Sequence, residues 1–110
     1  MNNRVIDVYK YYKSLYGSML LLFRVQNNYE AYFDDAKSIS MILNLALHTE
    51  PGLNELPIMK VCLPDSTIFD LVAELSEHGK ECKLIQQRND KGEFSIPDIN
   101  ILINEKKLDY

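Results

Sequence analysis

The chain has 110 residues, 46% of them hydrophobic, and carries 12 Lys+Arg against 16 Asp+Glu for a formal net charge of -4. That length and apolar share suffice for one core but not two, so 1-110 is expected to form a single domain. The acid excess is a handicap for any partner held mainly through phosphate contacts, because those dominate non-specific DNA affinity.

The start Met1-Asn2-Asn3-Arg4 leads into an amphipathic stretch rather than an apolar signal core. No run reaches membrane-spanning length, so a cytoplasmic protein without a membrane partner is expected. Val5, Val8, Tyr9, Tyr12, Leu15 and Tyr16 recur at helical spacing and predict a first helix ending at Gly17. Met19 to Phe23 is an unbroken apolar run, which suits a strand covered on both faces.

A hairpin is predicted from strands near 19-25 and 28-33, with Gln26-Asn27 or Asn27-Asn28 as the turn, since Asn tolerates positive φ. Alternation places Tyr29, Ala31 and Phe33 on one face and Asn28, Glu30 and Tyr32 on the other, the exposed one. Asp34 or Asp35 is expected to cap a second helix with Ala36, Ile39, Ile42, Leu43 and Ala46 as its buried stripe. Thr49 to Leu56, containing Pro51-Gly52, reads as a loop, and Ile58 to Leu63 as a strand.

Asp65-Ser66-Thr67 should cap a third helix lined by Ile68, Leu71, Val72 and Leu75 and closed by Gly79. Lys80 to Gln87 predicts a further strand and Arg88 to Glu93 a polar turn. Ile99, Ile101 and Ile103 suggest a last strand, while Pro97-Asp98 equally suits the start of a short helix. Strands alternating with helices argue for an α/β domain, a small mixed β-sheet flanked by about three helices.

The segment Arg24-Val25-Gln26-Asn27-Asn28-Tyr29-Glu30-Ala31-Tyr32-Phe33-Asp34-Asp35-Ala36 resembles the pattern R-x-G-D-F-Y-E-x-F-x-D-D-A of the N-terminal mismatch-recognition domain of the MutS DNA mismatch-repair family. A second block, from Leu56 through Pro64 and Gly79 to Gln87, resembles that family's I-P-x-x-G-x-P-x-H segment with its following helix and strand. The likeness covers about 5-87 and implies the family's small mixed sheet flanked by helices. It further implies that the Phe position, which wedges beside a mispaired base, is Asn28, and that Glu30 is the base-contacting acid. The family's Gly and His positions are Cys62 and Ser66.

The resemblance thus implies a DNA-contacting set of Asn28, Glu30, Arg24, Tyr32 and Ser66, with Arg24 on phosphate and Tyr32 as a substitute wedge. An aromatic stacked on a base is worth roughly 1–3 kcal/mol, which Asn28 cannot supply. Weak binding to double-stranded DNA with little or no mismatch preference is therefore expected. The other reading is a protein-interaction or regulatory module, self-association included, that reuses the fold without DNA.

Arg4, Lys10, Lys13 and Arg24 offset Asp7 in the first 24 residues, so a basic patch joining the first helix to Arg24 stands as one reading and scattered solvated charge as the other. No G-x-x-x-x-G-K-[ST] stretch occurs, so no ATPase is expected of this sequence. Asp34-Asp35 read as helix-start residues rather than a catalytic pair, and no nucleophile-base set is visible, so no enzyme is expected. Cys62 and Cys82 are expected as buried reduced thiols. His48 and His78 are expected near helix C-termini, and neither a metal nor another cofactor is predicted.

Overall fold

A computed structural model describes residues 5–52 and 56–86 of the chain. The predicted polar turn at 88-93 and the last strand or helix near 97-103 lie outside the described residues. The elements run α1 (Val5–Tyr16), β1 (Leu20–Val25), β2 (Asn28–Tyr32), α2 (Phe33–Leu43), β3 (His48–Glu50), β4 (Ile58–Pro64), a 3-10 turn (Asp65–Thr67), α3 (Ile68–Glu77) and β5 (Cys82–Ile85). The strands form one sheet in the order β3-β4-β2-β1-β5. Pairing is antiparallel except between β1 and β5, so the sheet is mixed, as expected of an α/β domain.

The apolar run of β1 is explained by cover on both faces. Leu20 and Leu22 pack with Tyr29, Ala31, Val61 and Leu63 beneath α2 and α3, which contribute Ala36, Ile39, Ile68 and Leu75. Leu21 and Phe23 point the other way and pack with Tyr32, Ile58 and Ile85 beneath Val8 and Tyr12 of α1. Burying each such large apolar side chain contributes about 1.5–3 kcal/mol. Gly17 ends α1 at φ +56°, its N–H bonded to the Lys13 carbonyl at 2.9 Å.

The hairpin loop is Gln26-Asn27, because Val25 pairs with Asn28. Its left-handed residue is Gln26, at φ +57°, and not an asparagine. This is the place where the R-x-G-D-F-Y-E pattern carries glycine, the residue with no steric penalty there. Phe33, at φ +54°, is a second bulky residue in the left-handed region and marks the turn from β2 into α2.

Several local expectations are corrected. No side-chain hydrogen bond caps α2, whose N-cap position is Tyr32. Asp35 instead turns inward: its carboxylate, 4% exposed, accepts from Lys13 Nζ at 2.8 and 3.1 Å and from the Leu21 N–H at 3.1 Å. The acid ties α1, β1 and α2 together, which adjacent-residue reasoning does not reveal. Asn44, in the left-handed conformation, stops α2 at Leu43, leaving Ala46 exposed beyond it.

His48 to Glu50, read as the helix end and the loop start, is an exposed edge strand on β4. No side-chain hydrogen bond caps α3 either; Asp65–Thr67 form the 3-10 turn that leads into it. His78 does sit at the end of α3, its Nδ1 2.9 Å from the Glu74 carbonyl.

Candidate nucleic-acid interface

Antiparallel pairing of β2 with both β1 and β4 decides what surrounds each side chain of the hairpin. Asn28 lies opposite Val25 and Pro64, Glu30 opposite Phe23 and Cys62, and Tyr32 opposite Lys60. Directly paired residues share a face, so Asn28, Glu30, Tyr32, Lys60 and Cys62 lie on the α1 side of the sheet. Asn28 and Cys62 are exposed at the hairpin end of that face.

Glu30 does not stand free beside Asn28. Its side chain is 15% exposed, its Oε1 accepts from the Tyr32 hydroxyl at 2.9 Å, and its Oε2 lies 3.4 Å from Lys60 Nζ. The Cys62 Sγ stands 3.9 Å from the same oxygen. Lys60 Nζ is also 2.5 Å from Glu50 on β3, so one ammonium serves two carboxylates. Burial pulls the Lys60 ammonium downward, but the contacts with Glu50 and Glu30 together hold it above its ordinary value. Burial and then Glu30 push the Cys62 thiol up, while Lys60 pulls it back.

Tyr32 is corrected: it is 7% exposed, packed at 5.4 Å between ring centroids against Phe23, and cannot reach a ligand as a wedge from this position. Strand alternation puts it on the face of Asn28, but α1 covers that part of the face. Burial first, and then the neighbouring Glu30 charge, raise its phenol well above the usual range. Its hydroxyl orients Glu30 instead. Tyr29, as alternation requires, is buried at the opposite face.

Arg24 pairs with Tyr29 and therefore lies on the α2-α3 side. Its guanidinium forks onto Asp65 at 3.2 and 3.3 Å, its Nε donates to the Gln26 carbonyl at 3.2 Å, and it sits 5.7 Å from the Tyr29 ring centroid. The Asp65 N–H also bonds to the Asn27 carbonyl at 3.2 Å, clipping the 3-10 turn to the hairpin tip. Ser66, exposed in that turn, is thereby brought to the same end of the sheet as Asn28 and Arg24. The basic patch is not built from Lys13 and Arg24, because each is paired with a carboxylate and they lie on opposite faces.

Cys62 is exposed, contrary to expectation, because β4 turns it outward next to Glu30; Cys82 is half-buried, and burial pushes its thiol up to about 11. Among the described residues no group of His, Cys, Asp and Glu is placed to hold a metal ion. Among them, too, no helix is long and apolar enough to cross a membrane. Sequence reasoning missed Lys60 and Glu50 altogether. The only signal was the position of Lys60 within a predicted strand, and nothing local says which strand that one pairs with.

Comparison with known proteins adds a family. The model of MutS domain I matches residues 3–103. The chain is 32% identical over 93 residues to the DNA mismatch repair protein MutS of Chlorobium phaeobacteroides, covering 84% of this chain and 10% of that protein. It is 32% identical over 78 residues to the protein of the same name from Staphylococcus epidermidis, covering 71% and 9%. A third, from Thermotoga neapolitana, is 42% identical over 43 residues, 39% of this chain and 5% of that protein. The chain thus spans about a tenth of the length of the curated relatives it matches most extensively.

Proposed function

Since the chain belongs to the MutS domain I family, we propose that it is a non-enzymatic DNA-binding module linked to mismatch repair, with weak or no preference for mismatched over paired duplex. Residues 1-110 act as one domain in this reading, in the cytoplasm. The observation that carries it is the exposed Asn28 at the hairpin end, on the same face as an oriented Glu30, where the resemblance implies the family's reading position.

The Asn28 amide both donates and accepts, so it can meet base edges in the minor groove, where the pattern is degenerate between A·T and T·A. It has no ring with which to offset unstacking at a base step. Glu30 supplies acceptor oxygens beside it, and the Ser66 hydroxyl is open to a phosphate. Arg24 has two N–H donors beyond those on Asp65 and Gln26, but to fork onto a phosphate it must give up Asp65, so the contribution of such a fork is the difference between two charge-assisted pairs.

Anisotropy titration at low salt against paired, G·T-mismatched and single-stranded DNA tests the reading. Salt-sensitive duplex binding with nearly equal affinity for paired and mismatched sites supports it; absence of binding to all three overturns it. The second reading, a protein-interaction module on the same fold, draws on Glu30 and Arg24 both being held by charges of the chain itself. Self-association or partner capture without DNA binding selects that reading.

A further inference from the structure

We propose that Lys60 is the positioning residue of the reading edge: it holds the Glu30 carboxylate in place from the neighbouring strand, and Glu50 weakens that hold by competing for the same ammonium. This rests on the proposed DNA-binding role of Glu30 and adds residues that the reading did not contain.

Glu30 has two oxygens, and each has a different protein partner: the Tyr32 hydroxyl at 2.9 Å and Lys60 Nζ at 3.4 Å. Together they fix the rotation of the carboxylate and neutralise much of its charge while leaving lone pairs for a ligand. Tyr32 is locked by burial, so its half of the arrangement is constant. Lys60 is not: its side chain is 21% exposed, and it lies nearer to Glu50, at 2.5 Å, than to Glu30.

The cluster therefore holds two acids and one base. Loss of Lys60 would leave uncompensated negative charge where phosphate must approach. Loss of Glu50 would release Lys60 to Glu30 and make the edge neutral. Glu50 sits on an exposed edge strand, outside the reading positions, and its closest contact with the cluster is Lys60.

Cys62 gives a readout that needs no DNA. Its thiol faces Glu30 at 3.9 Å and feels Glu30 and Lys60 with opposite sign. In a Cys82→Ser background Cys62 is the sole remaining thiol of the chain. The proposal predicts that Lys60→Met slows alkylation of Cys62 by iodoacetamide severalfold, that Glu30→Gln speeds it, and that Lys60→Arg stays near the parent. Lys60 also acts on this thiol directly, so the positioning role is read from the double variant: an unchanged rate in folded Lys60→Met, or a Lys60→Met effect of the same size with and without Glu30→Gln, overturns it.

The DNA arm is a double-mutant cycle on a paired duplex. Glu30→Gln and Lys60→Met are each expected to weaken binding about tenfold, the scale of one charge-assisted hydrogen bond. The double variant should be no weaker than the worse single one. Glu50→Gln should tighten binding two- to threefold beyond Glu77→Gln, a remote change of equal charge, as expected when a competing charge near the contact is removed. Losses that multiply in the double variant, or identical behaviour of Glu50→Gln and Glu77→Gln, overturn the positioning role. If the parent binds no DNA, the proposed function falls, and the thiol rates alone decide whether Lys60 governs Glu30.

Discussion

Asp35→Asn isolates the internal ion pair on which the packing of α1 against the hairpin depends. The native carboxylate is buried and meets Lys13 Nζ and the Leu21 N–H, while Lys13 also donates to the Met19 carbonyl at 2.7 Å. Removing one member of a fully buried pair costs about 3–5 kcal/mol, because the other charge is left without compensation. Lys13 is 29% exposed, so water recovers part of that loss. We expect a net cost of about 2–3 kcal/mol, a fall in Tm of roughly 10–20 °C for a domain of this size.

Urea and thermal unfolding of Asp35→Asn, Lys13→Met and the double variant provide the assay. The two costs should fail to add by about 1 kcal/mol or more, since the second change removes a charge that the first has already orphaned. A cost for Asp35→Asn below about 0.5 kcal/mol, or strict additivity, refutes the reasoning.

Gln26→Gly relieves a left-handed side chain and should stabilise by up to about 1 kcal/mol, read as a raised urea midpoint at constant m. Limited alkylation at pH 8 should modify the exposed Cys62 well before Cys82, whose thiol is pushed up to about 11; peptide mapping checks the order. Tyr32 has a folded pKa above its unfolded value near 10. Its contribution to stability is therefore complete below that value and is lost as pH climbs past it. Urea midpoints between pH 9 and 12 should fall for the parent and fall less for Tyr32→Phe.

Much of the fold was legible because its cues are local. Alternation in Asn28 to Tyr32, the two-faced run Leu20 to Phe23 and the glycine stop at Gly17 each follow from the periodicity of one element. What stayed hidden is non-local or without a pattern. His48-Thr49-Glu50 is exposed throughout, so no apolar alternation betrays it as a strand.

Alternation correctly put Asn28, Glu30 and Tyr32 on one face, but whether that face is open depends on where α1 lies. α1 covers Tyr32 and leaves Asn28 exposed. Likewise, the β2-β4 register alone brings Lys60 and Cys62 to Glu30, and the 3-10 turn alone sets Asp65 against Arg24. The shared face of these side chains was legible from one strand, and their partners were not.

The most direct measurement compares the parent with Asn28→Phe on paired and G·T duplexes across a salt series. Asn28 is exposed at the strand end, so the ring can be added without disturbing the core. With stacking at roughly 1–3 kcal/mol, the parent should bind both duplexes nearly equally, and the Phe variant should gain a preference for the mismatch that survives added salt. A parent that already binds the G·T duplex far more tightly than the paired one would contradict the account.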